Sequence, residues 1–162
     1  MKKRNAVICG LIALLLLTVI AVCAVLLNRT EQSAGGMKLE KNTVSWEQEM
    51  KSANEAADIQ IPYYSDIYMQ GGSDEIEMYL VNPKENDCYF TYTLILKESG
   101  EQIYQSGLIE PGQAVDLVKL ERKIESGEYA LNMRIDTYTL ETETPLNNAI
   151  VSTKLIAQQV SP

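Results

Sequence analysis

Apolar and polar positions divide this chain into three stretches of different period. From Ala6 to Leu27 no charge interrupts an apolar run. At about 1.5 Å rise per residue that run makes a helix of about 33 Å, enough to cross a hydrocarbon core of about 30 Å. Lys2, Lys3 and Arg4 precede the run, and Asn28-Arg29 close it. The basic excess at the front predicts a cytoplasmic N-terminus, with everything from Thr30 onward outside the cell. Residues 1–4 are then a cytoplasmic tip and residues 5–28 a transmembrane helix. Residues 29–57 are polar and read as a stalk, with Ser33-Ala34-Gly35-Gly36 as a flexible linker. Within the stalk, Ser45 and Gln48 resemble a capping box, and Trp46, Met50, Ala53 and Ala57 recur at helical spacing. They predict a short amphipathic helix near 45–56.

From Asp58 the period becomes two. Ile59 and Ile61 alternate with polar residues, Pro62 interrupts, and Ile67 and Met69 complete a broken first strand. Beyond the Gly71-Gly72 turn, Ile76, Met78 and Leu80 alternate with Glu75, Glu77 and Tyr79. After a loop at 82–87, Cys88, Phe90, Tyr92, Leu94 and Leu96 form an inward face, and Ser99-Gly100 turns the chain into 102–105. Glu110-Pro111-Gly112-Gln113 reads as a type II turn before a strand at 115–120. Ser126-Gly127 leads into the strand of Tyr129, Leu131, Met133, Ile135 and Thr137. A long polar loop at 139–148 precedes a last strand near 149–158. Seven short strands in about 100 residues predict an all-β, immunoglobulin-like or fibronectin-III-like sandwich over 58–160. The expected sheets are A-B-E and G-F-C-C′. Tyr129, after a glycine turn, is placed like the tyrosine corner of such sandwiches, whose hydroxyl bonds upstream backbone.

Composition narrows the setting. A cleaved signal peptide would have a shorter apolar region, and Val25-Leu26-Leu27 make a poor mature end after Val22-Cys23-Ala24. A retained helix is the first reading of residues 5–28; a lipid-modified Cys23 and free secretion are the alternatives. The whole chain carries 14 basic and 22 acidic residues, net −8. Without Lys2, Lys3 and Arg4 the remainder holds 11 basic against 22 acidic groups. Such a surface repels nucleic acid phosphates and anionic lipid heads. Cys88 is the one cysteine beyond the apolar run, so no disulfide can form within the outer part. It reads as a small buried hydrophobe, with an intermolecular disulfide as the alternative. The chain has no histidine, which removes His-based triads, metal sites and pH switches.

Residues 59–158 resemble small, uncharacterised, membrane-anchored proteins of Gram-positive Firmicutes. The resemblance rests on Ile61-Pro62-Tyr63-Tyr64, Val81-Asn82-Pro83 with Cys88-Tyr89-Phe90, Ser106-Gly107-Leu108-Ile109-Glu110-Pro111-Gly112, and Thr144-Pro145-Leu146-Asn147. It implies a membrane span or lipid anchor, a polar stalk and one extracellular immunoglobulin-like domain, and it carries no catalytic motif. Where glycine often follows the loop asparagine in similar proteins, this chain has Asn148, which also tolerates left-handed geometry.

Searching for chemistry yields little. Cys88 has no histidine to activate it. Glu75 with Glu77, and Glu141 with Glu143, read as solvated acids rather than a glycosidase pair. Glu85, Asn86 and Asp87 offer oxygen ligands on one loop, without the spacing of a calcium-binding EF-hand. The sequence therefore suggests no catalytic, cofactor or metal site and no small-molecule substrate. Tyrosine is unusually frequent, nine against one phenylalanine. Tyr79, Tyr89 and Tyr138 should face outward, and exposed tyrosines anchor interfaces. With Pro145 and Asn147 of the long loop they are the expected partner-binding residues. The implied role is a non-enzymatic, surface-displayed protein-interaction module, for example an accessory subunit of an envelope or secretion assembly, with an unidentified protein partner. Two alternatives stand beside it. One is an outward-facing adhesin or carbohydrate-binding module, disfavoured while the single Trp46 sits in the stalk. The other is an inhibitor-like sandwich that offers loop 139–148 to a protease.

Overall fold

A computed structural model describes residues 36–49 and 59–159. Among them are eight strands and no helix: β1 (Thr43–Ser45), β2 (Ile67–Gln70), β3 (Ser73–Asn82), β4 (Cys88–Leu96), β5 (Gln102–Gln105), β6 (Gln113–Ile124), β7 (Gly127–Thr139) and β8 (Pro145–Gln158). They form two sheets, β1-β6-β3 and β2-β8-β7-β4-β5. Inward residues of both sheets share one core. Ile76 and Leu80 of β3 and Val115 and Val118 of β6 come from the first; Phe90, Tyr92, Leu94, Leu131, Met133, Ile135 and Leu155 come from the second. The arrangement is that of a β-sandwich. No helix among the described residues is long and apolar enough to cross a membrane, and residues 5–28 lie outside them.

The expected G-F-C-C′ order is present as β8-β7-β4-β5. The expected A-B-E sheet is not. The first predicted strand reduces to β2, which runs parallel to β8, from Ile67 opposite Leu155 to Gln70 opposite Gln158. Gly71 and Gly72 explain the difference. The Gly71 N–H donates to the Gln158 carbonyl at 2.7 Å, while the Gly72 N–H donates to Ile124 of the other sheet at 2.7 Å. The two glycines thus hand the chain from one sheet to the other instead of closing a hairpin. A Cβ on Gly71 would lie 2.9 Å from the Ser126 Cα, so only glycine passes there unstrained.

The empty place beside β6 is taken by residues read as stalk. In β1, Thr43, Val44 and Ser45 pair with Val115, Ala114 and Gln113. Just upstream, the Leu108 N–H donates to the Lys38 carbonyl at 2.9 Å and the Glu40 N–H to the Leu108 carbonyl at 2.8 Å. The 106–109 segment is itself bonded to β4 through Phe90 and Tyr92. Residues 38–45 therefore form a strap that joins the edges of both sheets. Ser45 lies in a strand and residues 46–49 are not helical, which corrects the start of the predicted helix; residues 50–56 lie outside the described ones. The Trp46 N–H bonds the Gly112 carbonyl at 2.8 Å instead of opening a helix, and its ring lies 4.7 Å from that of Tyr79.

At one end of the sandwich a polar knot replaces apolar packing. The Tyr92 hydroxyl donates to the Val81 carbonyl at 2.6 Å and lies 3.0 Å from the Tyr64 hydroxyl, which accepts the Val81 N–H at 3.1 Å. Asn82 donates through Nδ2 to the carbonyls of Cys88 and Ile109. Asn86 donates to Asn82 Oδ1 and accepts the Gln60 N–H at 2.7 Å. Both asparagines are buried, and each bond satisfies a group that would otherwise cost about 1–3 kcal/mol.

Candidate interaction surface on the β7–β8 hairpin

The hairpin of β7 and β8 carries most of the expected partner-binding residues. Its loop is shorter than the polar composition suggested: β7 runs to Thr139 and β8 begins at Pro145. Threonines account for the change, being strand formers with a hydroxyl that serves the turn. The Thr139 N–H donates to the Thr144 carbonyl at 3.0 Å, and the Thr144 N–H donates back to Thr139 Oγ1 at 3.0 Å. The hydroxyls of Thr139, Thr142 and Thr144 lie 2.8 Å apart in sequence. Glu143 takes the left-handed conformation, φ 52°, and Asn148 lies in the ladder opposite Asp136.

Between Asp136 and Tyr138 the register shifts, so that Asp136 faces Asn148 while Tyr138 faces Pro145. Three steps on β8 answer two on β7, which is a bulge. Thr137 fastens it: its hydroxyl donates to the Asn147 carbonyl at 2.9 Å and accepts the Asn147 N–H at 3.2 Å. Asn147 is thereby fixed through its backbone and exposed at its side chain.

Tyr89 of β4 stands directly opposite Tyr138 of β7, and Tyr138 opposite Pro145 of β8. The three form a row across adjacent strands, with both tyrosines half-buried and Pro145 exposed. The same hairpin exposes Leu140, Leu146 and Ile150, the last at 60%. The sequence reading missed these three. Leu140 and Leu146 lie within the stretch whose polar composition reads as loop, and Ile150 is legible only from its alternation with inward Val151. Tyr79 belongs elsewhere: it is half-exposed on β3 of the other sheet, against Trp46.

Charge is distributed unevenly along the hairpin. From Pro145 to the end of the chain there is no acidic residue, and Lys154 is the only charge. Glu141 and Glu143 occupy the tip. On β7, Arg134 is paired with Asp136 at 2.7 Å.

Away from the hairpin, a concavity of about 250 Å³ is lined by Trp46, Gln48, Glu49, Gln60, Ile61, Pro62, Pro83 and Glu85. The Trp46 indole N–H is buried without a hydrogen-bond partner.

The remaining candidate groups are committed to structure. Cys88 is buried and free, and burial, then the charge of Asp87, pushes its thiol up to about 11. Asn86 spends its amide on Gln60 and Asn82 rather than on a cation. Glu75 pairs with Lys119 at 3.1 Å. The Tyr129 hydroxyl donates to the Glu125 carbonyl at 3.0 Å, the upstream backbone bond expected of it. Among the described residues no group of three or more acidic or cysteine side chains is gathered to hold a metal ion.

Comparison with known proteins finds no matching family model, no matching curated protein and no matching solved structure.

Proposed function

We propose that this chain is a non-enzymatic protein-interaction module, held at the cell surface by residues 5–28, whose docking face is the distal half of the β7–β8 hairpin. The observation that carries the reading is the row of Tyr89, Tyr138 and Pro145 beside exposed Leu140, Leu146 and Ile150. Aromatic and aliphatic groups on a rigid, hydrogen-bonded frame lose little conformational freedom on docking. The finer fold assignment, an immunoglobulin or fibronectin-III-like domain, is supported by the β8-β7-β4-β5 order and the Tyr129 corner bond; its place in a Gram-positive envelope rests on the sequence resemblance of residues 59–158 alone. An accessory subunit of an envelope or secretion assembly is the form this role takes. The protease-inhibitor alternative loses ground, because the connection in 139–148 shrinks to a short hydrogen-bonded turn at 140–144 and the rest lies in the β7–β8 ladder.

The test is crosslinking in intact membranes from a photoreactive residue at Tyr138, followed by capture from detergent extract. One defined adduct is expected, weakened about tenfold by Tyr89→Ser or Leu146→Ser. A chain that forms no adduct at this position overturns the proposal.

A carbohydrate-binding reading gains support from one observation. Trp46 packs against Tyr79, their rings tilted by 46°, beside a cleft rimmed by Gln48, Glu49, Gln60 and Glu85, so the objection that it sits apart in a stalk no longer holds. Glycan-array binding that disappears in Trp46→Ala would favour it over the first reading.

A further inference from the structure

Strand β8 is covered on one side only. β7 pairs with it along its length, but on the other side β2 meets only Leu155 to Gln158. Just before them the Thr153 hydroxyl donates to the Ser65 carbonyl at 2.8 Å. From Pro145 to Ser152 no strand among the described residues lies on that side, leaving an edge of about 26 Å at about 3.3 Å per residue.

Open edges normally carry charges, prolines or bulges that discourage pairing. Here Pro145 and the bulge at Asn147 guard the tip. Asn148-Ala149-Ile150-Val151-Ser152 has neither charge nor proline, and Ile150 is well exposed.

We infer that this edge pairs with the same edge of a second copy, antiparallel about a two-fold axis near Ala149, joining two five-stranded sheets into one. The inference rests on the hairpin being a docking surface and names its partner. Charge argues for a second copy. On an acidic chain, β8 is a strip without acids, so two copies can approach along it. Antiparallel pairing about Ala149 brings Lys154 of each copy, which within its own chain makes only a long, exposed 3.8 Å pair with Glu128 of β7, to the level of Thr144, beside Glu143 of the other. β8 thus carries a cation toward one end while the turn that precedes its other end carries acids, which is the pattern a two-fold interface needs. In the same register Ile150 stands opposite Asn148, and the two Ile150 side chains are diagonal neighbours within reach of each other.

The experiment uses the full chain in detergent, with Cys9 and Cys23 replaced by Ala. Ile150→Cys treated with a short bis-maleimide should give crosslinked dimer at least about tenfold faster than Tyr68→Cys, a site of similar exposure on β2. Sedimentation should find the dimer weakened about tenfold by Lys154→Glu and restored when Glu143→Lys is added, a rescue that a merely structural role would not produce. A chain that stays monomeric, or an Ile150→Cys rate no higher than that of Tyr68→Cys, overturns the inference. If a different protein is then still captured from Tyr138, the docking face stands and only its assigned occupant is lost. If nothing is captured, both fail.

Discussion

One backbone carbonyl decides what residue 107 can be. A Cβ on Gly107 would lie 2.6 Å from the Lys38 oxygen and 2.9 Å from the Glu40 nitrogen. Neither is the end of a flexible side chain, so the strap itself must move. The Gly107 N–H also donates to the Glu40 carboxylate at 2.8 Å. Gly107→Ala should therefore cost about 1–3 kcal/mol, the usual effect of an overpacked contact. Trp46, the only tryptophan, lies at the downstream end of the strap and reports its displacement by red-shifted emission. A variant with unchanged melting and unchanged emission would show that the strap tolerates the methyl group. The buried tyrosines set a second residue-scale expectation. Desolvation, only partly offset by the hydrogen bonds with Tyr92 and Val81, raises Tyr64 from 10.0 to about 12. Tyr92 is held well above 10.0 by the same burial and by Tyr64. Above pH 10 the unfolded chain releases these protons while the folded chain keeps them, so stability falls as pH rises from 10 toward 12. Cys88 acts in the same sense from 9.0 to about 11. Urea midpoints should hold below about pH 9 and drop steeply above it, and Cys88→Ala should remove the earliest part of the fall.

At the scale of elements, the strap differs from every strand it touches. Leu39 is 49% exposed, Val44 37%, and no strap side chain joins the core. It is held by backbone bonds and by Glu40, whereas β4 and β7 carry Phe90, Tyr92, Leu131 and Met133 inside. Local opening follows buried apolar contact. Hydrogen exchange should therefore release the amides of 38–45 long before those of β4 and β7; equal protection would mean the strap is an integral strand. The same contrast explains what could be read in advance. Alternation marked β3, β7 and β8 because one face of each is buried and the other largely wet; β4 is covered on both faces, and its polar Thr91 and Thr93 supplied the alternation although both are buried. The strap has no such contrast, and its Ser45-x-x-Gln48 spacing suggested a helix. Periodicity also says nothing about which sheet receives a strand; for β2 the bonds of Gly71 to Gln158 and Gly72 to Ile124, with the tight Gly71–Ser126 approach, decide it. Tyr89 and Tyr138 were legible as outward positions, but their pairing with Pro145 depends on a bulge fastened by Thr137, which composition disguised as loop.

For the whole molecule, charge and hydropathy divide at one point. Every residue before the apolar run that carries charge is basic, and every acid lies after it. A chain built this way is expected to retain its first four residues inside and to export an acidic body that anionic lipid heads repel. That body lacks an internal disulfide and relies on one apolar core plus the Tyr64–Tyr92–Val81 and Asn82–Asn86 bonds. The arrangement can be tested without knowledge of any partner. A cysteine placed at exposed Ser99, in the β4–β5 turn, should react with a membrane-impermeant maleimide on intact cells. Cys88 should react only after denaturant, because it is both buried and held as thiol. Labelling at Ser99→Cys that requires cell lysis would put the sandwich on the cytoplasmic side and remove the basis for a surface-displayed role. Labelling of Cys88 in the native chain would mean instead that the end of the core around Asn82, whose side chain donates to the Cys88 carbonyl, opens.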